Sequence, residues 1–200
     1  MINLSLVRDI RRAASNHRYE VMDSGEILFT DAKVRAGGVF ETCLNHGVWE
    51  PSPNLLPKLG RNFIWDVAFG AVAKATNWYM APFATNTAPT DSLTAANFAA
   101  TQTEFTNYTQ TSRALWTPGA AVDGVVTNTA TPVSITIGSG AQVDMYGLAL
   151  LSAAAKSATT GVLAACTLFK AADGITPKPR MGLVEGDDLG LRYTNTLTSA

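Results

Sequence analysis

The stretch that decides the fold is residues 133–169, VSITIGSGAQVDMYGLALLSAAAKSATTGVLAACTLF. Within residues 133–137, valine and isoleucine alternate with serine and threonine, which is the period of a strand with one buried face. Two longer apolar runs follow at residues 143–151 and 162–169, and glycine or small polar residues separate the three segments. Short strands with turns between them predict an antiparallel β-sandwich of immunoglobulin-like or jelly-roll-like topology.

Similar strand patterns occur on both sides of this stretch. Towards the C-terminus, residues 189–197 alternate, with Leu191 and Tyr193 on one side. The other predicted elements are a hairpin over residues 19–30 turning at Asp23-Ser24-Gly25, an extended segment at 34–44 with a bulge or bend at Gly37-Gly38, strands at 77–83, 106–116 and 125–137, and one or two helical turns at 92–100. The chain is therefore predicted to be mainly β.

One helix interrupts this pattern in the N-terminal half. From Lys58 onward, apolar residues recur at four-residue steps, which predicts a helix of about four turns facing a core. The stripe is Leu59, Phe63, Val67 and Ala71, and Arg61 falls away from it. Before the helix, Pro51 and Pro53 predict a loop over residues 50–54, because proline lacks the amide hydrogen that helices and sheets use.

The region before the helix is the most charged part of the chain. Residues 4–14 fit a short helix, and the hairpin and the extended segment follow it. We therefore divide the chain into an N-terminal arm with its hairpin, residues 1–54, and a domain of helix plus β-sandwich, residues 55–200.

Residues that could carry catalysis are scarce. The chain has two histidines, His17 and His46, and they form no recognised catalytic pair. Cys43 and His46 have a spacing seen in metal sites, but a structural zinc needs four ligands. Cys43 and Cys166 lie in apolar stretches and are predicted to be buried free thiols. We predict a protein that is not an enzyme, with no catalytic residues, cofactor or metal, and a solvated turn at residues 185–188.

The charge pattern argues against two other classes of partner. Charged residues make up 16% of the chain and the net charge is −1, so no broad basic surface is expected for nucleic acid. The longest apolar region, residues 145–169, is broken by Lys156 and several polar residues, so no membrane span is predicted. Polar residues also fall where the apolar run of a signal peptide would lie, which favours assembly in a reducing cytoplasm.

A few side chains are candidates for contact with a partner. Trp65 and Trp78 lie in apolar stretches and are predicted to be core residues. Trp49 stands beside two prolines with little chain expected nearby, so it is an interface candidate. The candidate interface consists of Trp49, Arg8, Arg11, Arg12 and Tyr19.

Several short motifs stand in a fixed order between about residues 55 and 198. They are Gly60-Arg61-Asn62-Phe63-Ile64-Trp65-Asp66-Val67, Asn77-Trp78-Tyr79-Met80-Ala81, Asn86-Thr87-Ala88-Pro89-Thr90-Asp91-Ser92-Leu93, Arg113-Ala114-Leu115-Trp116-Thr117-Pro118-Gly119-Ala120-Ala121, Val125-Val126-Thr127-Asn128 and Gly186-Asp187-Asp188-Leu189. In this order they resemble a group of virion proteins from tailed bacteriophages. The chain departs from that group in its longer and more charged N-terminal region.

The resemblance implies a β-sandwich in a capsid or tail, and it implies no active-site residues that could be assigned in this chain. We therefore expect a structural component of the virion that is assembled in the bacterial host cytoplasm. The first expectation is a capsid decoration or cement protein. Its partners would be the major capsid protein or tail proteins, with self-association, for example as a trimer. Alternatives are a tail or neck component, such as an adaptor, fibre base or tail-tube partner, and a carbohydrate-binding module that uses Trp49 or Trp116.

Overall fold

The computed structural model describes residues 20–21, 27–29, 34–140, 143–171 and 176–199. The strands are β1 (Glu20–Val21), β2 (Ile27–Phe29), β3 (Val34–Leu44), β4 (Glu50–Pro53), β5 (Trp78–Phe83), β6 (Ala114–Trp116), β7 (Val125–Thr127), β8 (Val133–Thr136), β9 (Val143–Met145), β10 (Gly147–Leu151), β11 (Leu163–Leu168), β12 (Arg180–Leu183) and β13 (Asp188–Ser199). The helices are α1 (Lys58–Phe69) and α2 (Ala95–Thr101). The predicted mainly-β, antiparallel sandwich is confirmed.

The larger sheet is organised around β13. This strand pairs with β3 over eleven residues, and its other edge pairs with β8 and then with β7. Asn128 lies between β7 and β8 and continues the hydrogen bonding: its side-chain amide donates to the Leu191 carbonyl at 3.3 Å, and its side-chain oxygen accepts from the Tyr193 amide at 2.8 Å. On the far edge of β3, the sheet continues through β2 and β1, while β4 pairs with the other end of β3.

The smaller of the two main sheets has the order β11-β10-β5-β6, and its strands β10 and β11 are buried on both faces, while β9 and β12 pair separately. One face packs on the larger sheet, and this core includes Phe40, Met80, Ile135, Leu148, Leu150, Leu189, Leu191 and Tyr193. The other face forms a second core with helix α2 and the segment before it, and this core includes Ala81, Phe83, Leu93, Phe98, Ala149, Leu151 and Cys166. Because both faces are covered, every residue of β10 is buried, which explains its unbroken apolar run.

The chain passes from the larger sheet to the smaller one directly after β4. Leu55 forms a bridge to Cys166 on β11, with backbone hydrogen bonds of 2.7 and 2.9 Å. The Thr167 hydroxyl donates to the Pro53 carbonyl at 2.6 Å. This side of the sandwich is therefore closed by backbone hydrogen bonds, which leaves less of the β11 edge free to pair with another chain.

A buried ion pair joins two loops of the smaller sheet. Arg113 donates from Nε and Nη2 to the two carboxylate oxygens of Glu104 at 2.9 and 2.6 Å, and both side chains are almost fully buried. The remaining contacts reach the neighbouring loop: Arg113 donates to the carbonyls of Ala153 and Ala158, and Glu104 accepts from the Ser157 amide. The loops over residues 104–113 and 152–161 are thus held together.

Residues 34–54 differ from the prediction in two places. No register shift occurs at Gly37-Gly38, so the expected bulge is wrong. Glycine is instead required at Gly38 because a Cβ there would lie 2.5 Å from the Thr194 carbonyl oxygen and 2.8 Å from the Tyr193 hydroxyl. The predicted loop over residues 50–54 is also wrong, since Glu50–Pro53 forms strand β4, where proline is tolerated because the strand lies at a sheet edge.

Helix α1 begins at Lys58 as predicted but presents a different face to the core. Leu59 is 53% exposed, and Ala71 lies beyond the end of the helix at Phe69. The buried positions are Gly60 and Arg61, and Trp65 and Phe69 pack on the core along the same side. The expectation that Arg61 points away is therefore wrong: it donates to the Leu56 carbonyl and binds Asp91 with both Nη atoms.

Part of the N-terminal prediction lies outside the described residues, namely the helix over residues 4–14 and the turn Asp23-Ser24-Gly25. The two strands of the hairpin do pair, with Glu20 opposite Leu28. From residue 34 onward the chain belongs to the larger sheet, so the boundary that we drew after residue 54 falls between segments that are hydrogen bonded to the same sandwich.

Burial of three weakly acidic side chains predicts that the protein loses stability in alkali. Burial raises the pKa of Cys166, Tyr108 and Tyr193. The unfolded chain releases these protons above about pH 8.5 for cysteine and about pH 10 for tyrosine, while the folded chain keeps them. The stabilisation is complete below about pH 8.5 and decreases as the pH rises. Urea midpoints should therefore fall between about pH 8 and pH 10.5. An unchanged midpoint would contradict this prediction.

Candidate interaction surface

The hairpin that joins β3 and β4 has a rigid turn. Asn45 and His46 both adopt the left-handed conformation, with φ of 47° and 59°. The Asn45 side chain donates to the Asp187 carboxylate at 2.9 Å and accepts from the Asp188 amide at 2.8 Å. These contacts attach the turn to the start of β13. Hydrogen bonds from Asn45 and from the Val184 amide lower the pKa of Asp187, so its carboxylate stays charged at neutral pH.

Trp49 lies across the outer face of the larger sheet. The Arg192 guanidinium carbon lies 3.6 Å from the centre of its ring. Its ring edge lies over Gly190, where a Cβ would come within 3.0 Å of the ring and 2.7 Å of the Cys43 sulfur. Trp49 is therefore half-buried and fixed by its neighbours, whereas the sequence had suggested a ring with little chain around it.

A cleft of about 540 Å³ runs beside Trp49. We call it the β4 cleft, and it is lined by Val39, Trp49, Glu50, Pro51, Pro53, Lys170, Ala171 and Lys178. Val39 opposes Pro53 and Glu41 opposes Pro51 in the sheet, so the two prolines lie on the same outer face as Val39. The lining is therefore apolar at Val39, Trp49, Pro51 and Pro53 and charged at Glu50, Lys170 and Lys178.

A second cleft, of about 400 Å³, lies towards the tip of the hairpin. We call it the Val48 cleft, and it is lined by Thr42, Leu44, Val48, Glu50, Lys178, Pro179 and Arg180. Leu44 and Val48 are 36% and 84% exposed, so the hairpin carries apolar side chains in contact with water. Together, the two clefts and the exposed hairpin residues form what we call the hairpin surface.

An ionic group separates the two clefts. Glu50 binds Lys178 at 3.1 Å and the Arg180 Nη1 at 2.7 Å. Arg180 also donates from Nε to the Thr42 hydroxyl at 2.7 Å, and its guanidinium lies 4.7 Å from the centre of the Phe169 ring. Burial lowers the pKa of Arg180 and the Glu50 charge opposes that change. These contacts hold the wall between the clefts in one arrangement.

Most of the other candidate residues that the structure describes lie in or on the core. Trp65 and Trp78 pack on the core in partly buried positions, in line with the prediction. Trp116 is buried, with its ring centre 5.5 Å from that of Tyr193, so it is not available to a ligand. Cys43 and Cys166 are buried free thiols, as predicted. Arg8, Arg11, Arg12 and Tyr19 lie outside the described residues.

Sequence reasoning missed the residues that complete the hairpin surface. Lys170, Lys178 and Arg180 are more than a hundred residues from Glu50, and their own segment carries no motif. They reach β4 because Leu55 and β11 close that side of the sandwich. Only Trp49, Pro51 and Pro53 were visible beforehand, as an aromatic ring among prolines.

Comparison of the chain with family models, curated proteins and solved structures finds no match. Within the described ranges, no three histidine, cysteine, aspartate or glutamate side chains are grouped so that they could hold a metal ion. None of the helices in that part of the chain has both the length and the apolar character needed to cross a membrane.

Several of the motifs quoted above have a structural role. Gly60 lets α1 approach β11, because a Cβ there would lie 2.6 Å from the carbonyl oxygens of Leu163 and Ala164. Arg61 ties the helix to Asp91 of the Pro89-Thr90-Asp91 loop, and Asn128 connects β7 and β8 to β13. These motifs therefore contain residues that hold helix α1 against β11 and strands β7 and β8 against β13.

Proposed function

We propose that this chain is a structural component of a tailed-phage particle, most specifically a decoration protein that stabilises the capsid shell. The observation that carries the proposal is the hairpin surface, where exposed apolar side chains of the β3–β4 hairpin lie beside two clefts that the hairpin forms with a later segment containing Lys170, Lys178 and Arg180. Apolar residues grouped in this way are typical of surfaces that bind another protein. The order of the sequence motifs and the low content of charged residues support the same function.

The chemistry of the hairpin surface suits a permanent contact. A stable interface buries roughly 1,600 Å² and is centred on a few aromatic, aliphatic and arginine side chains. Trp49 and Val48 provide the apolar centre, and the exposed Lys178 provides part of a polar border. Since Trp49 is already fixed by Arg192 and Gly190, little side-chain entropy is lost when a partner covers it.

A tail or neck component would use the same surface, and the copy number in the particle distinguishes the two locations. Hundreds of copies on the head favour decoration, while a dozen or fewer at the neck or tail favour the alternative. The carbohydrate-binding module has weaker support, because Trp116 is buried and Arg192 covers one face of Trp49.

The test is binding of the purified chain to empty capsids of the phage that encodes it. We expect co-sedimentation with the capsids, and we expect Val48→Asp to weaken it at least about tenfold, since a buried carboxylate opposes contact. Val72→Asp is the matched control, because Val72 is 47% exposed and lies after α1, outside both clefts. Failure of the unaltered chain to bind would overturn the decoration function, and binding to isolated tails instead would favour the alternative.

A further inference from the structure

We propose that the β4 cleft binds an extended segment of the neighbouring shell subunit in which aliphatic residues alternate with aspartate or glutamate. This inference rests on the proposed function for the identity of the partner. The chemistry of the segment is argued from the lining of the cleft.

The shape and the apolar lining of the β4 cleft suit an extended chain. Pro51 and Pro53 project on the outer side of β4, two residues apart, and Trp49 and Val39 continue the same apolar surface. Side chains of an extended segment point to one side at every second residue. Two aliphatic side chains of such a segment would therefore lie against the prolines and Trp49, with the intervening residues directed towards the lysines.

The charges around the β4 cleft are mostly positive. Among the described residues that line this cleft, Lys170 and Lys178 outnumber the one carboxylate, Glu50. Glu50 is bound by Lys178 and also by Arg180, a buried residue of the neighbouring Val48 cleft, so the lining carries an excess of positive charge. Lys178 is 54% exposed and keeps donor capacity beyond its bond to Glu50. On the adjoining part of the outer face, Glu41 lies opposite Arg192 in the sheet, and this pair adds no net charge. A partner segment with carboxylates at alternate positions would complement this arrangement.

The same charges argue against the chain's own N-terminal segment as the occupant. Residues 1–19 contain Arg8, Arg11, Arg12 and Arg18 but only one acidic residue, Asp9. Placing this segment in the β4 cleft would bring like charges together, and such contacts are unfavourable. A segment of another protein that carries carboxylates is therefore the better complement.

The first experiment compares charge-reversal variants in the capsid-binding assay. We expect Lys170→Glu with Lys178→Glu to weaken binding at least about tenfold at low salt, and the salt dependence of binding to decrease. The control is Lys58→Glu with Lys74→Glu, which changes the net charge equally at exposed residues outside the cleft. We expect this control to bind normally. If the unaltered chain binds and the cleft variant binds equally well, this inference is overturned while the proposed function stands. If the unaltered chain does not bind, the proposed function itself fails.

A second experiment identifies the segment directly. Both native cysteines are buried, so a cysteine introduced by Ala171→Cys in the cleft lining can be labelled selectively with a photoreactive group. Cross-linking on the capsid followed by mass spectrometry should capture a shell-protein segment with at least two carboxylates. Capture of a basic segment, or of residues 1–19 of this chain, would overturn the proposal.

Discussion

Replacing Arg113 by methionine should lower the free energy of unfolding by about 3–5 kcal/mol, because it leaves a buried carboxylate without its partner. Glu104 would keep one hydrogen bond, from the Ser157 amide, while losing both bonds from the guanidinium. Methionine has a length similar to that of arginine and fills part of its space. The loss of stability therefore reflects mainly the missing positive charge beside Glu104. Urea unfolding of the variant, followed by circular dichroism, measures the change.

Two further variants make this prediction specific. The double variant Glu104→Gln with Arg113→Met should be less destabilised than the sum of the single variants, with a coupling of at least about 1 kcal/mol. Asp91→Asn alters the other bidentate arginine pair, but Asp91 is half-exposed, so the expected loss is about 1 kcal/mol. Equal losses from Arg113→Met and Asp91→Asn would show that burial does not determine the strength of these pairs.

Replacing Gly60 by alanine should destabilise the protein by about 2 kcal/mol, although alanine is the better helix former. Helix propensity alone would predict a gain of about 1 kcal/mol inside a helix. The new Cβ, however, would lie 2.6 Å from the carbonyl oxygens of Leu163 and Ala164, which are backbone atoms of a buried strand and cannot rotate away. Helix α1 would have to move outward, and the hydrogen bonds of Arg61 to Leu56 and Asp91 would weaken.

The control for Gly60→Ala is Asn62→Ala in the same helix. Asn62 is exposed, so alanine there changes propensity without a steric cost, and we expect a gain of a few tenths of a kcal/mol. Valine at position 60 should be worse than alanine, at roughly 3 kcal/mol, because its larger side chain meets the same carbonyl groups. A stabilising effect of Gly60→Ala would contradict the close approach of helix and strand.

Alternation and apolar runs were sufficient to predict the class of fold. Ile135 and Ile137 are buried while Ser134 is exposed, and the continuous run at residues 147–151 is a strand covered on both faces. Helix α1 was placed correctly but rotated, because glycine and arginine do not count as apolar although Gly60 and Arg61 face the core. A periodic apolar pattern therefore predicts that a helix is present more reliably than it predicts which face of the helix is buried.

The hairpin surface could be predicted only in part. An aromatic residue among prolines marked Trp49, yet it is held by the Arg192 guanidinium and packs on Gly190, and neither residue is marked by a local sequence pattern. The cations of the clefts come from a distant segment that is brought to β4 by the closure at Leu55. Such contacts depend on tertiary structure, and local patterns carry no signal for them.

The position of β13 has a consequence for how the protein is made. Among the described strands, β13 is synthesised last, yet it is the strand to which β3, β7 and β8 all pair. While a ribosome is still translating the preceding residues, β3 can pair only with β2 and β4, and β7 and β8 lack the strand to which they pair in the finished sheet. The larger sheet can therefore be completed only after β13 has emerged, and its completion requires contacts between residues about 150 positions apart, which slow folding. Chaperones that shield unpaired strands during this interval would act on the nascent chain before β13 appears.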